Sequence, residues 1–368
     1  MTCEPKIETL HERWAHAVME GLARVPRRAL LVSTGLDDPP PRMSSIGVIT
    51  LTGDAAPCLK SSCPHRNRPA LAGRGEVSIS YSTLLSSDEP SLGDAGIRIT
   101  PASHQHIAVA VELLARRHAF EGLIAIAGGD ETLPGVMMAI ARLNLPSVLV
   151  YGGVIRPGRV PGASKAPVGA APEVQRDVLS KDTLERPCSP TGSVCPREFT
   201  ASTMAMVAEA LGLTPLGSDI TEPTERLKLG RRAGEIVMRL LDEGSPRPRN
   251  LITRKSLENA CAAVAVTSGS TNAALHLPAI AHEAGVKFNV DDVAAVFRRT
   301  LVGAELAPGG RRLISDLYSL GGVPAVLTKL LESGALNRDA LTIEGTELHA
   351  ALSWVPAATL ESPQAGAP

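Results

Sequence analysis

Aromatic residues are nearly missing from this sequence. Phe, Tyr and Trp together make up 2% of its 368 residues, while apolar residues as a whole stand at an ordinary 44%. The core must therefore be built from Ala, Val, Leu and Ile. An excess of charge is also missing: the formal net charge is −1, so no field favours nucleic acid or an anionic membrane. No uninterrupted apolar run approaches the length of a bilayer span. The first residues, Met1 to Trp14, carry Glu4, Lys6, Glu8, Glu12 and Arg13 and hold no apolar signal core, so export is not expected. The six cysteines are too few for a disulfide framework in a chain this long. Cys58, Cys63, Cys188 and Cys195 lack tight CxxC spacing, which argues against a zinc ribbon. A reducing, cytoplasmic compartment is expected, with thiols that are buried or metal-binding.

What is present is organised around Ile124-Ala125-Ile126-Ala127-Gly128-Gly129-Asp130-Glu131-Thr132-Leu133-Pro134-Gly135. An apolar run closed by glycine and followed by a helical pattern is the strand–loop–helix unit of an α/β protein. Ligands in such sheets collect at the carboxyl ends of the strands, where Gly129, Asp130 and Glu131 would sit. The plainer reading is a Gly-Gly turn with two carboxylates favouring a helix N-terminus. Helix patterns are read over Lys6 to Val25, Ser103 to Arg117, Phe199 to Leu211, Thr224 to Leu241, Lys255 to Ala263, Ala273 to Ala284 and Val323 to Ser333. The apolar positions of the second are Ile107, Val109, Val111, Leu113 and Leu114. Strands are read at Ile46 to Leu51, Ser78 to Leu85 and Ser147 to Tyr151, with a strand-like run from Val264 towards Asn272. Asn144-Leu145-Pro146 ends the central helix. The two short β-rich runs around that helix suggest a parallel pair. The fold class expected is α/β: a parallel or mixed sheet flanked by helices, in αβα layers.

Four loops could carry chemistry: Pro57-Cys58, Ser87-Asp88, Gly129-Asp130-Glu131 and the turn ending at Cys195. Asp88, Asp130 and Glu131 offer the oxygen ligands that suit Mg²⁺. Clustered carboxylates would repel one another unless a cation compensates them. Thiolates bind soft metals or iron-sulfur clusters.

Taken in order, several motifs resemble the dihydroxy-acid dehydratases and their sugar-acid relatives, hydro-lyases that use Mg²⁺ and an iron-sulfur cluster. They are Arg28-Ala29-Leu30-Leu31, Ala56-Pro57-Cys58, Ser87-Asp88, Asp130 with Thr132, Pro134 and Gly135, and Leu143-Asn144-Leu145-Pro146. Further along come Cys195 with Phe199-Thr200-Ala201, Gly269-Ser270-Thr271-Asn272 with Leu275-His276-Leu277, and Gly321-Gly322-Val323-Pro324. The resemblance implies cluster ligation by Cys58 and Cys195 and metal ligation by Asp88, Asp130 and, with a changed side chain, Glu131. It also marks departures. The family's Cys-Asp-Lys motif, with its cluster cysteine and carbamylated metal-binding lysine, stands here as Gly129-Asp130-Glu131, and its Pro-Ser-Arg-Glu as Ala102-Ser103-His104-Gln105.

The domain organisation implied is a helical extension over 1–24, a dehydratase-like α/β domain over 25–354 with a flexible loop at 157–180, and a disordered tail over 355–368. The family's C-terminal β-rich domain, which carries a further metal carboxylate and a serine base, is expected to be absent. The implied function is a hydro-lyase acting on a 2,3-dihydroxy or sugar acid, impaired or dependent on a partner domain. The alternative is a catalytically inactive homologue serving as a binding or regulatory subunit. The partners implied are a second copy of the chain or a chain supplying the β-rich domain, and a small hydroxy acid, with no nucleic acid and no membrane.

Overall fold

Strands in the middle of a parallel sheet are covered on both faces and so read as continuous apolar runs. The runs at 122–127 and 147–151 have this character, and every residue in them is buried. A computed structural model of the chain describes residues 21–22, 25–33, 45–51, 77–83, 95–152, 198–218, 226–304, 306–310 and 312–355. Its elements, in order, begin with α1 (Val25–Ser33), β1 (Ser45–Leu51), β2 (Val77–Thr83), α2 (Thr100–His118), β3 (Gly122–Ala127), α3 (Thr132–Leu143) and β4 (Ser147–Tyr151). They continue with α4 (Thr200–Ala210), α5 (Arg226–Glu243), α6 (Pro248–Leu251), α7 (Arg254–Val266) and α8 (Ala273–Ala284). The last are α9 (Val290–Arg299), α10 (Ile314–Ser319), α11 (Gly322–Glu332) and α12 (Leu348–Ala351).

The sheet order is β2-β1-β3-β4. All three pairings are parallel, with Ile49 opposite Tyr81, Val48 opposite Ile124 and Ile126 opposite Val150. The sheet is thus parallel rather than mixed, and all four strands finish at one edge. Helices α3 and α5 both pack on β3 and β4. The outer side of β4 is occupied as well: Leu149 N–H donates to the Leu213 carbonyl at 3.0 Å, so the segment after α4 shields an otherwise open sheet edge. One contiguous apolar cluster runs from Ile46 in β1 to Leu352 beyond α12. No described helix is long and apolar enough to cross a membrane.

Most expected elements form within a few residues of their sequence limits, and the differences have physical causes. The run after Val264 is no strand. Val264 to Val266 are the last turn of α7, which a Thr253–Ser256 capping box starts and alanines sustain. The Thr267 hydroxyl then closes that end on the Ala263 carbonyl at 2.9 Å. Helix α2 buries Ile107, Ala108, Val111 and Ala115, whereas Val109 and Leu113 face solvent. The buried side follows the spacing of four along the helix, and the other apolar residues fall off it. Helix α3 is buried all round over 132–141 rather than along one stripe. Helix α9, capped by Asn289 through its Asp291 and Asp292 N–H groups, is an addition to the expected elements. The N-terminal extension apart from residues 21–22, the 157–180 loop and nearly all of the 355–368 tail lie outside the described residues.

Gly135 sets how closely α2 and α3 approach. A Cβ there would lie 2.7 Å from the His104 carbonyl oxygen and 2.9 Å from the Ile107 Cβ. Helix propensity alone makes Gly→Ala favourable by about 1 kcal/mol, but overpacking costs about 1–3 kcal/mol. Gly135→Ala is therefore expected to give no gain in stability and a loss of up to about 2 kcal/mol in urea denaturation. A stabilised variant would show that α2 and α3 do not rest backbone against side chain at this point.

Candidate functional site

At the carboxyl end of β3 the chain turns through Gly128 and Gly129, and Gly129 takes φ +92°, a left-handed conformation that a side chain would strain. The Gly152 N–H donates to the Ala127 carbonyl at 2.7 Å, holding the end of β4 against that of β3. Asp130 follows, 8% exposed, with its Oδ1 accepting from the Glu131 N–H at 3.1 Å. Glu131 is the N-cap residue of α3, yet its side chain makes no capping bond. The carboxylate reaches away from the helix instead.

It ends between two histidines. Glu131 Oε2 lies 3.2 Å from His104 Nδ1 of α2, and Oε1 lies 3.7 Å from His276 Nε2 of α8. Glu131 is 1% exposed, the His276 side chain 0% and the His104 side chain 14%. An ionised carboxylate only accepts hydrogen bonds, so His104 Nδ1 carries the proton of that contact. The two imidazoles meet edge to face, with centroids 5.7 Å apart at 87°. Neither His276 nitrogen has a hydrogen-bond partner among the described residues. Burial, reinforced by the nearby His104 charge, pushes the His276 pKa down to about 3. His276 is therefore neutral, and its 3.7 Å approach to Glu131 is neither a hydrogen bond nor an ion pair. An unsatisfied buried polar group costs about 1–3 kcal/mol.

Three helices are held in register to make this arrangement. At the far end of α3, Arg142 forks onto Glu283 of α8 at 2.6 and 2.7 Å and reaches Glu112 and Gln105 of α2 at 3.4 and 3.0 Å. Its hydrogen bonds to the Glu283 carboxylate raise the Arg142 pKa above its ordinary value. The same three helices thus touch at both ends of α3. Helix α8 is entered through the loop Ser268-Gly269-Ser270-Thr271-Asn272, which is laced to the start of α4. Thr200 Oγ1 lies 2.8 Å from Ser270 Oγ and accepts from Asn272 Nδ2 at 3.1 Å, and Ser270 N–H donates to Thr203 Oγ1 at 3.0 Å. Thr203 in turn donates to Glu198 at 3.2 Å. This lacing fixes where His276, in the first turn of α8, enters the cluster.

Of the site residues read from the sequence, Asp130 and Glu131 are buried at the end of β3, while Cys58, Asp88 and Cys195 lie outside the described residues. By sequence, Cys58 follows β1 and Asp88 follows β2, two strands that end at the same sheet edge as β3. Gly129 has no side chain to offer a metal. A three-thiolate cluster set is therefore incomplete at this loop. Of the three carboxylates read as hard-cation ligands, Glu131 lies against two imidazoles, 3.2 Å from His104 Nδ1 and 3.7 Å from His276 Nε2. Sequence reasoning did not place His104 or His276 in the site. The available signal was paired change: where the resemblance expects Arg and Lys, positions 104 and 131 carry His and Glu, which touch each other here.

The depressed His276 pKa makes a pH prediction. Between its ordinary value of 6.5 and about 3 the unfolded chain binds a proton there that the folded chain does not. Stability contributed by the neutral imidazole is complete above pH 6.5 and is lost as pH falls towards 3. In metal-free protein, wild-type stability should fall more steeply over this window than that of His276→Gln, by at most about 1.4 kcal/mol per pH unit. Parallel stability curves from denaturant titrations at several pH values would contradict the assignment of a neutral buried His276.

Comparison with known proteins adds the family. The family model described as "Dihydroxy-acid/6-phosphogluconate dehydratase N-terminal" matches residues 44–351. The chain is 48% identical to dihydroxy-acid dehydratase 2 of Bordetella bronchiseptica over 359 residues, covering 95% of this chain and 63% of that protein. It is 40% identical to dihydroxy-acid dehydratase 3 of Bradyrhizobium diazoefficiens over 342 residues, 89% of this chain and 58% of the other. With the dihydroxy-acid dehydratase of Dinoroseobacter shibae it shares 38% identity over 356 residues, 94% of this chain and 61% of the other. The chain thus spans about three-fifths of the length of these relatives. With its parallel sheet and the matched span of 44–351, the chain belongs to the dihydroxy-acid/6-phosphogluconate dehydratase family, and the matched part is that family's N-terminal domain.

Proposed function

We propose that this chain provides the α/β, acid-binding part of a hydro-lyase that works on a 2,3-dihydroxy or sugar acid. The observation that supports this reading is the buried Asp130 at the carboxyl end of β3, inside a span that matches the family throughout. In the reading, Asp130 and Asp88 hold a divalent cation of the Mg²⁺ class. Such a cation supplies Lewis acidity to a substrate carboxylate and hydroxyl. Asp130 is fitted to orient it, because its Oδ1 is already fixed by the Glu131 N–H and its burial raises the strength of any charge contact. The buried walls of β3 and α3 keep water from the reacting end of the substrate. No step is assigned to an iron-sulfur cluster, since Gly129 leaves the thiolate set of Cys58 and Cys195 one ligand short. In the reading the chain pairs with a second copy of itself, and turnover needs a further carboxylate and a base beyond the described residues.

Gly129 and the engagement of Glu131 by histidines favour a second reading, a relative that binds the acid without dehydrating it and acts as a binding or regulatory subunit. Both readings share Mg²⁺-dependent binding of a 2,3-dihydroxy acid, and they divide on turnover. Calorimetric titration of the purified chain with a 2,3-dihydroxy carboxylate should show binding that needs Mg²⁺ and weakens by about tenfold or more in Asp130→Asn, a loss of about 1.4 kcal/mol. Release of 2-oxo acid in the same mixture would select the dehydratase over the silent relative. Absence of binding with and without Mg²⁺ sinks both.

A further inference from the structure

The cluster of His104, Glu131 and His276 has a composition and spacing of its own. Two imidazole nitrogens and a carboxylate oxygen, from three different helices, all lie within 4.8 Å of one another. Two of the separations, 3.2 and 3.7 Å, bracket the distance of about 3.3 Å between neighbouring ligands of a tetrahedral zinc ion. A second observation is independent of the spacing. His276 is 0% exposed, lies against Glu131, and has no hydrogen-bond partner for either ring nitrogen among the described residues. A metal ion is one of the few partners that can satisfy a neutral imidazole lone pair in such a place.

We propose that His104, Glu131 and His276 form a binding site for a divalent transition metal of the Zn²⁺ class, separate from any oxygen-ligand cation held by Asp130. The donor set decides the class. Imidazole nitrogen suits zinc and its first-row neighbours, whereas Mg²⁺ selects oxygen ligands and keeps its waters. Two histidines and one glutamate are a three-ligand set that leaves a fourth position for water or a ligand oxygen. Partial exposure of His104, at 14%, gives that position and the ion a way in. Binding of the ion replaces the proton between His104 Nδ1 and Glu131, which leaves to solvent through the partly exposed His104. The Arg142 clamp and the Gly135 contact hold the three ligand-bearing helices before any ion arrives, so little ordering is left to be done on binding.

The test uses the whole chain, stripped with a chelator and titrated with Zn²⁺ or Co²⁺. One equivalent should remain after gel filtration, raise the thermal midpoint, and with Co²⁺ give visible d–d bands of a low-coordinate nitrogen and oxygen site. His104→Ala, Glu131→Gln and His276→Gln should each weaken binding by more than roughly tenfold. His104 is partly exposed, so His104→Ala keeps the test open where His276→Gln fails to fold, and circular dichroism of each metal-free variant monitors folding. Thiol alkylation before loading removes the cysteines as competing ligands and should leave the stoichiometry unchanged. No uptake, equal uptake by folded variants, or thiolate-to-cobalt charge-transfer bands would overturn the site and leave the trio a buried hydrogen-bonded cluster. Mg²⁺-dependent binding of a dihydroxy acid reads out separately through Asp130→Asn, so either proposal can fail without the other.

Discussion

A carboxylate that is 1% exposed needs partners, and the way Glu131 obtains them constrains much of the structure around it. Burying an unpaired charge costs more than most folds can offset. Here a partner comes from His104 on one oxygen, at a hydrogen-bonding distance of 3.2 Å, while the His276 ring packs against the other oxygen at 3.7 Å without a hydrogen bond. Those histidines belong to separate helices, so α2, α3 and α8 must meet at the end of β3. The close approach at Gly135 and the forked Arg142–Glu283 contact serve that meeting from either end of α3. A carboxylate at the N-cap of a helix would ordinarily accept from its first N–H groups and stabilise its N-terminus. Glu131 occupies that position and spends its side chain on the cluster instead.

The parallel sheet explains why so many chemically suggestive residues follow strands. All four strands end at one edge, and Asp130 and Glu131 follow β3 there. Two residues that depart from the motif this loop resembles, Gly129 and Glu131, sit at this edge on an intact scaffold. Glycine at 129 removes a thiolate and relaxes a left-handed turn. Glutamate at 131 places a short carboxylate between the imidazoles of His104 and His276. The scaffold is that of the family, while the donor atoms gathered around Glu131 are imidazole nitrogen and carboxylate oxygen.

Much of the fold was legible because it rests on local rules. Strands β3 and β4 announce themselves as short continuous apolar runs between glycine and proline, and α8 runs from Ala273 to a Gly285 cap as expected. The misreadings share a cause. Val264-Ala265-Val266 has β-branched composition, but the capping box at Thr253 and tertiary burial make it helix. Val109 and Leu113 are apolar yet exposed, because the contact line along α2 passes through Ile107, Ala108, Val111 and Ala115. Composition names apolar residues and leaves open which of them the neighbouring element covers.

The sequence by itself determined the α/β class, the family, the order of the elements and the importance of the Gly129-Asp130-Glu131 turn. Each of these is carried by neighbours along the chain: period, caps, breakers and motif order. Only the tertiary structure decided what Glu131 touches. His104, Glu131 and His276 are far apart in sequence, and no local preference specifies a contact between the starts of three helices. Their convergence depends on helix crossing distances, which a missing Cβ at Gly135 and a shared arginine at position 142 set in space.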